Sequence, residues 1–355
     1  MLPYFVLLII VSFLCILGAL FEEMEYIPFS KKKAKILLIT IILALTVFAG
    51  FRFEVGVDFN SYVRIFERKL WSTTNEPGFM LLVNIFGYLK AKPQFVFLVL
   101  AIIMQFLVYK IISKFSVNYW LSILIYLTIA PLYLATFNGI RQFLAVALFI
   151  SMINLIEKKR LILFLICTVF GALFFHLSII IIIPVYFILQ INFTIKNKLL
   201  IIISVIIGSF FINYLIGLSF YGDYLTHVRK TPISIGTYIF FVFSMSLIIF
   251  ERKLEDFKYK KIFLGINFLS FLTLLLVILQ DKGIMIQMFM RLNSYFFFIY
   301  ILLIPVLISQ FKDQGLKILL MFFLFVILLS YYLRTIIMKG EGYMLVPYKF
   351  NFELF

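Results

Sequence analysis

Long apolar runs, separated by short polar and charged segments, set the pattern of this chain. The runs predict membrane-spanning helices, because about 20 helical residues cross a hydrocarbon core of about 30 Å. They lie near residues 2–21, 36–51, 94–113, 119–136, 140–156, 161–175, 177–191, 199–216, 233–250, 262–280, 284–309 and 317–335. We therefore expect an all-α polytopic membrane protein with about 12 transmembrane helices, some short or broken. They would form a single integral membrane domain over residues 1–355.

Two apolar segments have lengths that do not fit one span. Phe79–Leu89 has 11 residues, about 16 Å of helix, whereas Leu161–Leu189 has 29 residues, long for one span and short for two. The positive-inside rule chooses between the options by placing three basic loops in the cytoplasm, namely Lys31–Lys35, Lys158–Arg160 and Arg252–Lys261. This requires Phe79–Leu89 to stay outside and Leu161–Leu189 to fold back on itself.

This topology predicts where the remaining segments lie. Residues 52–93 become an outer loop with a short apolar helix, interfacial or re-entrant, and residues 336–355 become an outer interfacial C-terminal tail. Leu2–Phe21 lacks a basic flank and a small-residue cleavage site, so we expect a first span and not a removed signal. The same topology puts several polar side chains on the outer side: Arg141, His176, His227, Arg229 and Arg291.

Composition supports the membrane class. Hydrophobic residues make up 64% of the chain and charged residues 14%, which excludes a soluble enzyme, a disordered chain and a disulfide scaffold. The formal net charge is +16, from 32 Lys and Arg against 16 Asp and Glu. These charges lie in short clusters between apolar runs, which favours helix orientation and anionic lipid over nucleic acid. Cys15 and Cys167 form no metal-binding pattern.

Two arginines suggest binding of an anion. Arg141 follows Asn138-Gly139 at the start of a helix, where backbone N–H groups also favour anions. Arg291 lies about seven residues inside its span, between Gln287 and Tyr295 on one helix face. The structural alternatives are a snorkelling arginine at Arg141 and an ion pair of Arg291 with an acid such as Asp281.

Histidine and acids on the outer side suggest proton transfer. His176 has an imidazole that ordinarily titrates near neutral pH, and it lies where two short helices meet. The alternative is a ring satisfied by a backbone carbonyl. Asp58 follows Gly56 in the outer loop and could shape a turn or orient sugar hydroxyls, and Glu76 lies later in the same loop. No paired-acid motif is present, so we expect no metal.

The order of these motifs resembles the EpsG family, which is grouped with the Wzy-type polymerases of bacterial exopolysaccharide, capsule and O-antigen. The resemblance runs from about Arg52 to Tyr348. Its residues are Arg52, Gly56, Asp58, Tyr62, Glu76-Pro77-Gly78-Phe79, Gly139-Ile140-Arg141-Gln142, Phe175-His176-Leu177-Ser178, Arg291, Tyr295 and Pro347-Tyr348.

The resemblance implies transfer of a glycan from a polyprenyl (undecaprenyl) diphosphate carrier onto a lipid-linked repeat unit. It implies a GT-C-like, metal-independent glycosyltransferase without a cofactor, inverting or retaining, in the bacterial cytoplasmic (inner) membrane with its active site facing the periplasm or exterior. The implied partners are the undecaprenyl-diphosphate-linked oligosaccharide and membrane lipid, with a flippase and chain-length regulator proteins as further candidates, and no nucleic acid.

This chemistry assigns roles to the outer residues. Arg141 and Arg291, with Arg52 third, would stabilise the charge that develops on the diphosphate leaving group. Tyr62, Gln142 and Tyr295 are further candidates for substrate binding. The base for the acceptor hydroxyl would be His176, with Asp58 next and Glu76 after it.

Three alternative functions stay open. An O-antigen ligase or another lipid-linked glycosyltransferase would share the donor chemistry and differ in its acceptor. A flippase or transporter for lipid-linked sugars should carry its polar groups near the membrane midplane, whereas these lie in the outer half. A scaffold subunit without catalysis is the third alternative.

Overall fold

The computed structural model describes residues 1–23, 30–68, 76–218, 233–280, 283–338 and 340–354, and these residues are nearly all helical. The predicted class, an all-α polytopic membrane protein, is confirmed. The α-helices are α1 Leu2–Glu23, α2 Ser30–Gly50, α3 Phe59–Arg68, α4 Pro77–Tyr88, α5 Pro93–Phe115, α6 Tyr119–Thr128, α7 Ile140–Ser151, α8 Ile153–Glu157, α9 Leu161–Phe174, α10 Ile182–Ile188, α11 Ile195–Leu218, α12 Ile235–Phe250, α13 Lys260–Leu279, α14 Gly283–Phe297, α15 Tyr300–Ser309 and α16 Gln314–Met338.

Length and composition qualify seven of the described helices as membrane spans: α1, α2, α5, α7 with α8, α12, α13 and α16. The count rises to eight if the broken pair of α14 and α15 forms one span. Four shorter apolar helices cover residues 77–88, 119–128, 161–174 and 177–188. Short and broken helices were expected, and the total of about 12 spans stays a prediction.

The described part of the chain forms two compact units. The first contains residues 1–152, 162–181 and 300–355, where α2 packs between α1 and α5, and α6 packs against α1, α15 and α16. The second contains residues 153–161 and 182–299, where α13 packs against α11, α12 and α14. The expectation of one integral membrane domain stays a prediction.

The chain reverses direction within Leu161–Leu189, as the charge pattern requires. A Cβ on Gly171 would lie 2.7 Å from the Ile179 side chain, although eight residues of straight helix would separate them by about 12 Å. At the ends of the same segment, Gln190 Nε2 donates to the carbonyl of Ile156 at 2.9 Å. The predicted reversal is therefore confirmed, with His176 at its turn.

The C-terminal tail, residues 340–354, packs on the loop after α2. Lys349–Phe350 pairs antiparallel with Arg52–Phe53 as a two-stranded sheet. The Tyr348 hydroxyl donates to the carbonyl of Phe48, and the backbone N–H of Lys92 donates to the carbonyl of Leu354. The tail is thus a built part of the first unit, while its predicted position outside the membrane stays a prediction.

Gly56 holds this loop against the helix start that carries Arg141. Its φ is +97°, and a Cβ there would lie 2.3 Å from the carbonyl oxygen of Phe137, so only glycine fits. The next residue, Val57, donates its backbone N–H to Asn138 Oδ1 at 2.6 Å. The outer-loop motif and the Asn138-Gly139 motif are therefore joined directly.

Candidate functional site

A buried carboxylate, Glu76, links three segments that lie far apart in the sequence. Pro77 starts α4, and the Glu76 side chain makes no capping hydrogen bond to that helix. Glu76 Oε2 instead accepts from Arg141 Nη1 at 2.7 Å. Its Oε1 accepts the backbone N–H of Leu177 at 3.4 Å and lies 3.8 Å from His176 Nδ1. We call Tyr62, Glu76, Phe79, Arg141 and His176 the Glu76 cluster.

Arg141 lies on an aromatic floor. It is the second residue of α7, and its guanidinium lies 4.7 Å from the ring centre of Phe79 and 5.4 Å from that of Tyr62. Arg141 Nε donates to the Tyr62 hydroxyl at 3.2 Å. Its Nη2 has no hydrogen-bond partner among the described residues, and 17% of the side chain is exposed. The orientation of the Arg141 guanidinium is therefore fixed, and within the described residues its Nη2 edge bonds to no protein group.

His176 is held as a hydrogen-bond donor. Its backbone N–H bonds to the carbonyl of Gly171, which closes α9, and its Nδ1 accepts the backbone N–H of Ser178 at 3.1 Å. A neutral imidazole whose Nδ1 accepts a hydrogen bond carries its proton on Nε2. The 3.8 Å to Glu76 Oε1 is too long to compete with this bond. His176 is about one-third exposed, so its ring is accessible at the edge of the cluster.

A close helix contact sets the spacing between Glu76 and His176. Gly78, in the first turn of α4, faces the ring of Phe174 at the end of α9. A Cβ on Gly78 would lie 2.5 Å from ring atoms of Phe174, so a larger residue must displace the Phe174 ring or the helices. The Glu76-Pro77-Gly78 sequence thus combines an acid, a helix start and a contact that needs glycine.

Tyr62 and Asp58 enter from α3. Asp58 precedes this helix, and its carbonyl accepts the backbone N–H groups of Ser61 and Tyr62. Burial raises the pKa of the Tyr62 phenol, the Arg141 guanidinium lowers it, and the negative charge of Asp58 raises it further. Tyr62 therefore stays protonated and gives Arg141 a neutral acceptor.

Arg52, a predicted substrate ligand, lies in a closed environment. Its guanidinium is fully buried between the rings of Phe97 and Phe137, at 4.9 and 5.0 Å from their centres. Nη1 donates to the carbonyl of Ala49 at 2.6 Å and Nε to that of Val55 at 3.3 Å, while Nη2 has no partner among the described residues. Burial lowers the pKa of this guanidinium, and nearby tyrosines, Tyr348 foremost, oppose the shift. These contacts favour a supporting role, and substrate binding by Arg52 stays a prediction.

The other predicted residues fall in different places. Gln142 is half-buried beside Arg141, in the first unit. Arg291 and Tyr295 lie on α14 in the second unit, where Arg291 is exposed and Tyr295 is buried. The structure therefore brings together Tyr62, Glu76, Arg141 and His176, with Asp58 close to Tyr62, and it leaves the roles of Arg291 and Tyr295 as predictions. His227, Arg229 and Asp281 lie outside the described residues.

Sequence reasoning did not find several parts of this site. The Phe79 ring under Arg141, the Leu177 N–H on Glu76 and the Phe174 contact of Gly78 all join segments distant in the sequence. The signal that could have pointed to them is the acid directly before Pro77-Gly78-Phe79. Over the described ranges, no group of three or more His, Cys, Asp or Glu side chains is arranged to hold a metal ion.

Comparison with known proteins identifies the family. The model of the EpsG family matches residues 35–350, which is most of the chain, and these residues include the whole Glu76 cluster. Searches of curated proteins and of solved structures returned no match. The chain is an integral membrane protein that belongs to the EpsG family, and this membership supports a Wzy-like polysaccharide polymerase at the level of the family.

Proposed function

We propose that this chain is a glycosyltransferase that polymerises lipid-linked repeat units. It would transfer the glycan from a polyprenyl (undecaprenyl) diphosphate carrier onto a lipid-linked acceptor at the outer face of the bacterial cytoplasmic membrane. Family membership and the apolar helices support the class of reaction and a membrane-borne substrate. The identity of the glycan donor, the membrane face on which the active site lies and the roles of the residues are part of the proposal.

The observation that carries the proposal is the preorganised Arg141. Charge develops on diphosphate oxygens as the glycosidic donor bond breaks, and a fixed guanidinium stabilises such charge without reorganising. Glu76, Tyr62 and Phe79 fix Arg141 in direction, and among the described residues Nη2 donates no hydrogen bond to the protein. Arg141 would therefore hold the leaving group without a metal ion, and Arg291 is a second candidate for that role.

His176 would assist as a donor to the same group. Its Nδ1 accepts from the Ser178 N–H, so a neutral ring carries its proton on Nε2 and has no lone pair there. This geometry favours a hydrogen bond to a phosphate or sugar oxygen over removal of a proton. Asp58 and Glu76 then become the stronger candidates for the base.

Reconstitution tests the reaction. Purified protein in liposomes receives a polyprenyl-diphosphate-linked repeat unit on the leaflet facing its active site, and products are resolved by gel electrophoresis. A polymerase gives a ladder of lengths, a ligase gives one transfer to a different acceptor, and a transporter moves lipid without forming glycosidic bonds. A folded protein that gives no ladder with the repeat unit of its own source organism would contradict the proposal. The flippase and chain-length regulator proposed as partners are left out, so the ladder tests the chain alone.

A further inference from the structure

In the Glu76 cluster, a carboxylate occupies two of the donors that a diphosphate could use. Arg141 Nη1 and the backbone N–H of Leu177 both bond to Glu76, at 2.7 and 3.4 Å. Guanidinium and backbone N–H groups are the usual ligands of phosphate oxygens. Glu76 is therefore an internal anion in the place of the substrate's anion.

The charges of the cluster do not suit a bound diphosphate as they stand. The charges of Arg141 and Glu76 cancel each other, and the Glu76 side chain is only 7% exposed. A second anion next to a buried carboxylate is repelled strongly, because little solvent screens the two charges. The repulsion is relieved when Glu76 binds a proton.

Resting on the proposed function, we propose that Glu76 is the catalytic base and that its protonation releases Arg141 to the leaving diphosphate. The acceptor hydroxyl gives its proton to a carboxylate oxygen of Glu76, and its oxygen forms the new bond to the anomeric carbon. The bond from that carbon to the diphosphate oxygen breaks, and its electron pair leaves on the polyprenyl diphosphate. The proton then passes from Glu76 to solvent.

Two features of the cluster favour Glu76 over the other candidate bases. His176 uses Nδ1 to accept from Ser178 and carries its proton on Nε2. Asp58 lies at the start of α3, next to Tyr62, while the carboxylate that pairs with Arg141 in the described part of the chain is that of Glu76. Among the carboxylates of the described ranges, Glu76 is the one whose proton uptake changes the charge balance of Arg141 directly.

This coupling gives Arg141 its greatest effect in the transition state. In the resting cluster, Glu76 neutralises Arg141, so the ground-state diphosphate gains little from it. As the carboxylate takes the proton, Arg141 loses its partner at the moment when charge appears on the diphosphate. Interactions that strengthen in the transition state are those that raise the rate.

The test compares Glu76→Gln with Glu54→Gln. Gln keeps the size of Glu76 and removes its charge and basicity, while Glu54 is an exposed acid that pairs with Lys349 at 2.6 Å, away from the Glu76 cluster. Farnesyl diphosphate serves as the probe for binding by calorimetry, and the liposome assay reports polymer. We expect Glu76→Gln to bind the probe at least threefold more tightly and to form polymer at least 100-fold more slowly. Glu54→Gln should match the unaltered chain in both.

Weaker probe binding in Glu76→Gln would mean that the carboxylate only positions Arg141, and normal polymer would mean that it is not the base. Either result overturns the inference. If the unaltered chain gives neither polymer nor probe binding, the proposed function itself fails, which is a different outcome.

If the Glu76→Gln variant does not fold, a measurement on the unaltered chain tests the same inference. Calorimetry in buffers of different ionisation enthalpy counts protons taken up with farnesyl diphosphate, a mimic of the product. We expect uptake of about one proton per bound probe, retained in His176→Gln. Among the described residues, the charged or titratable groups within 4 Å of the Glu76 carboxylate are Arg141 and His176; Tyr62 bonds to Arg141, and the charge of Asp58 acts on Tyr62. No uptake, or uptake that disappears in His176→Gln, would overturn the inference.

Discussion

Two arginines of the first unit, Arg52 and Arg141, lie in different environments, and we propose a supporting role for the first and a chemical role for the second. Both stack on aromatic rings and both lie near the Tyr62 phenol. Arg52 is sealed, and its hydrogen bonds go to backbone carbonyls. Arg141 is partly exposed and pairs with a carboxylate, and its Nη2 has no hydrogen-bond partner in the described ranges. The difference in partner and exposure, more than the shared charge, separates their roles.

The partners of Arg52 explain how a buried cation is tolerated without a carboxylate. The carbonyl of Ala49 lies in the last turn of α2, where helix carbonyls lack partners and the helix dipole is negative. The rings of Phe97 and Phe137 add cation–π attraction on both faces. Arg52 thus acts as a cap that ties α2 to the loop carrying Gly56 and Asp58.

The largest expected effect comes from Arg141→Lys. Lysine keeps the charge, so Glu76 stays paired, but it loses the planar fork that contacts Glu76 and Tyr62 together. We expect polymer formation to fall by about 10²–10³-fold, equivalent to about 2.7–4 kcal/mol of transition-state stabilisation. The apparent unfolding temperature in detergent should stay close to that of the unaltered chain.

Arg64→Lys is the matched control. Arg64 lies on α3 in the same unit, where its exposed side chain contacts Asn60 and Ser61. It should leave both polymer formation and unfolding unchanged. If Arg141→Lys lost so much stability that the smaller amount of folded protein explained its loss of polymer, the distinction between the two arginines would disappear.

The converse is expected for Arg52→Lys. A lysine reaches one carbonyl in place of two, and it leaves the Phe97–Phe137 space poorly filled. We expect a loss of about 1–3 kcal/mol in stability, seen as a lower apparent unfolding temperature and less folded protein. Polymer formed per folded molecule should change little. A folded Arg52→Lys protein with no polymer would return Arg52 to the substrate-binding role.

The amino-acid sequence predicted the reversal at His176 and a common outer side for Arg141, Glu76 and His176; that these residues form one functional site stays a prediction. Charge clusters and apolar lengths carry that information, because the membrane imposes simple rules on both. It did not predict that Glu76 pairs with Arg141, because the order of residues does not say which distant side chains meet. Nor did it separate Arg52 from Arg141, since burial depends on rings contributed by Phe97 and Phe137.

The C-terminal tail shows the same limit to what the sequence predicts. Aromatic residues near the C-terminus predict an interfacial anchor from composition alone. The structure also joins the tail to distant segments by specific hydrogen bonds, such as that from Tyr4 Oη to the carbonyl of Leu345 at 2.6 Å. Contacts of this kind depend on the packed arrangement of α1, α2 and the tail, which no local pattern encodes.

Gly78→Ala should disturb the Glu76 cluster through packing alone. The added methyl would lie 2.5 Å from the Phe174 ring, so the ring or the two helices must shift. We expect a cost of about 1–3 kcal/mol in stability together with a clear fall in polymer formation. Gly208→Ala is the control, because Gly208 in α11 has nothing within 4 Å of its Cβ position and should tolerate the methyl. Equal behaviour of the two variants would show that the Gly78 contact does not set the spacing of Glu76.

The smallest expected effect is that of Tyr62→Phe, which removes the acceptor of Arg141 Nε and leaves the ring in place. Loss of this hydrogen bond should cost about 1 kcal/mol and lower polymer formation a few-fold.

Burial raises the pKa of the Tyr62 phenol, so the folded chain holds this proton at a pH where the unfolded chain has released it. The contribution of Tyr62 to stability is therefore complete below about pH 10 and falls as the pH rises above it. Tyr62→Phe should lose less stability between pH 8 and pH 10.5 than the unaltered chain, on the order of a few degrees in apparent unfolding temperature. Tyr88→Phe, at an exposed position, should show the unaltered dependence. If Tyr62→Phe lost as much stability at alkaline pH as the unaltered chain, the fold would not hold the phenol beside Arg141 in its protonated form.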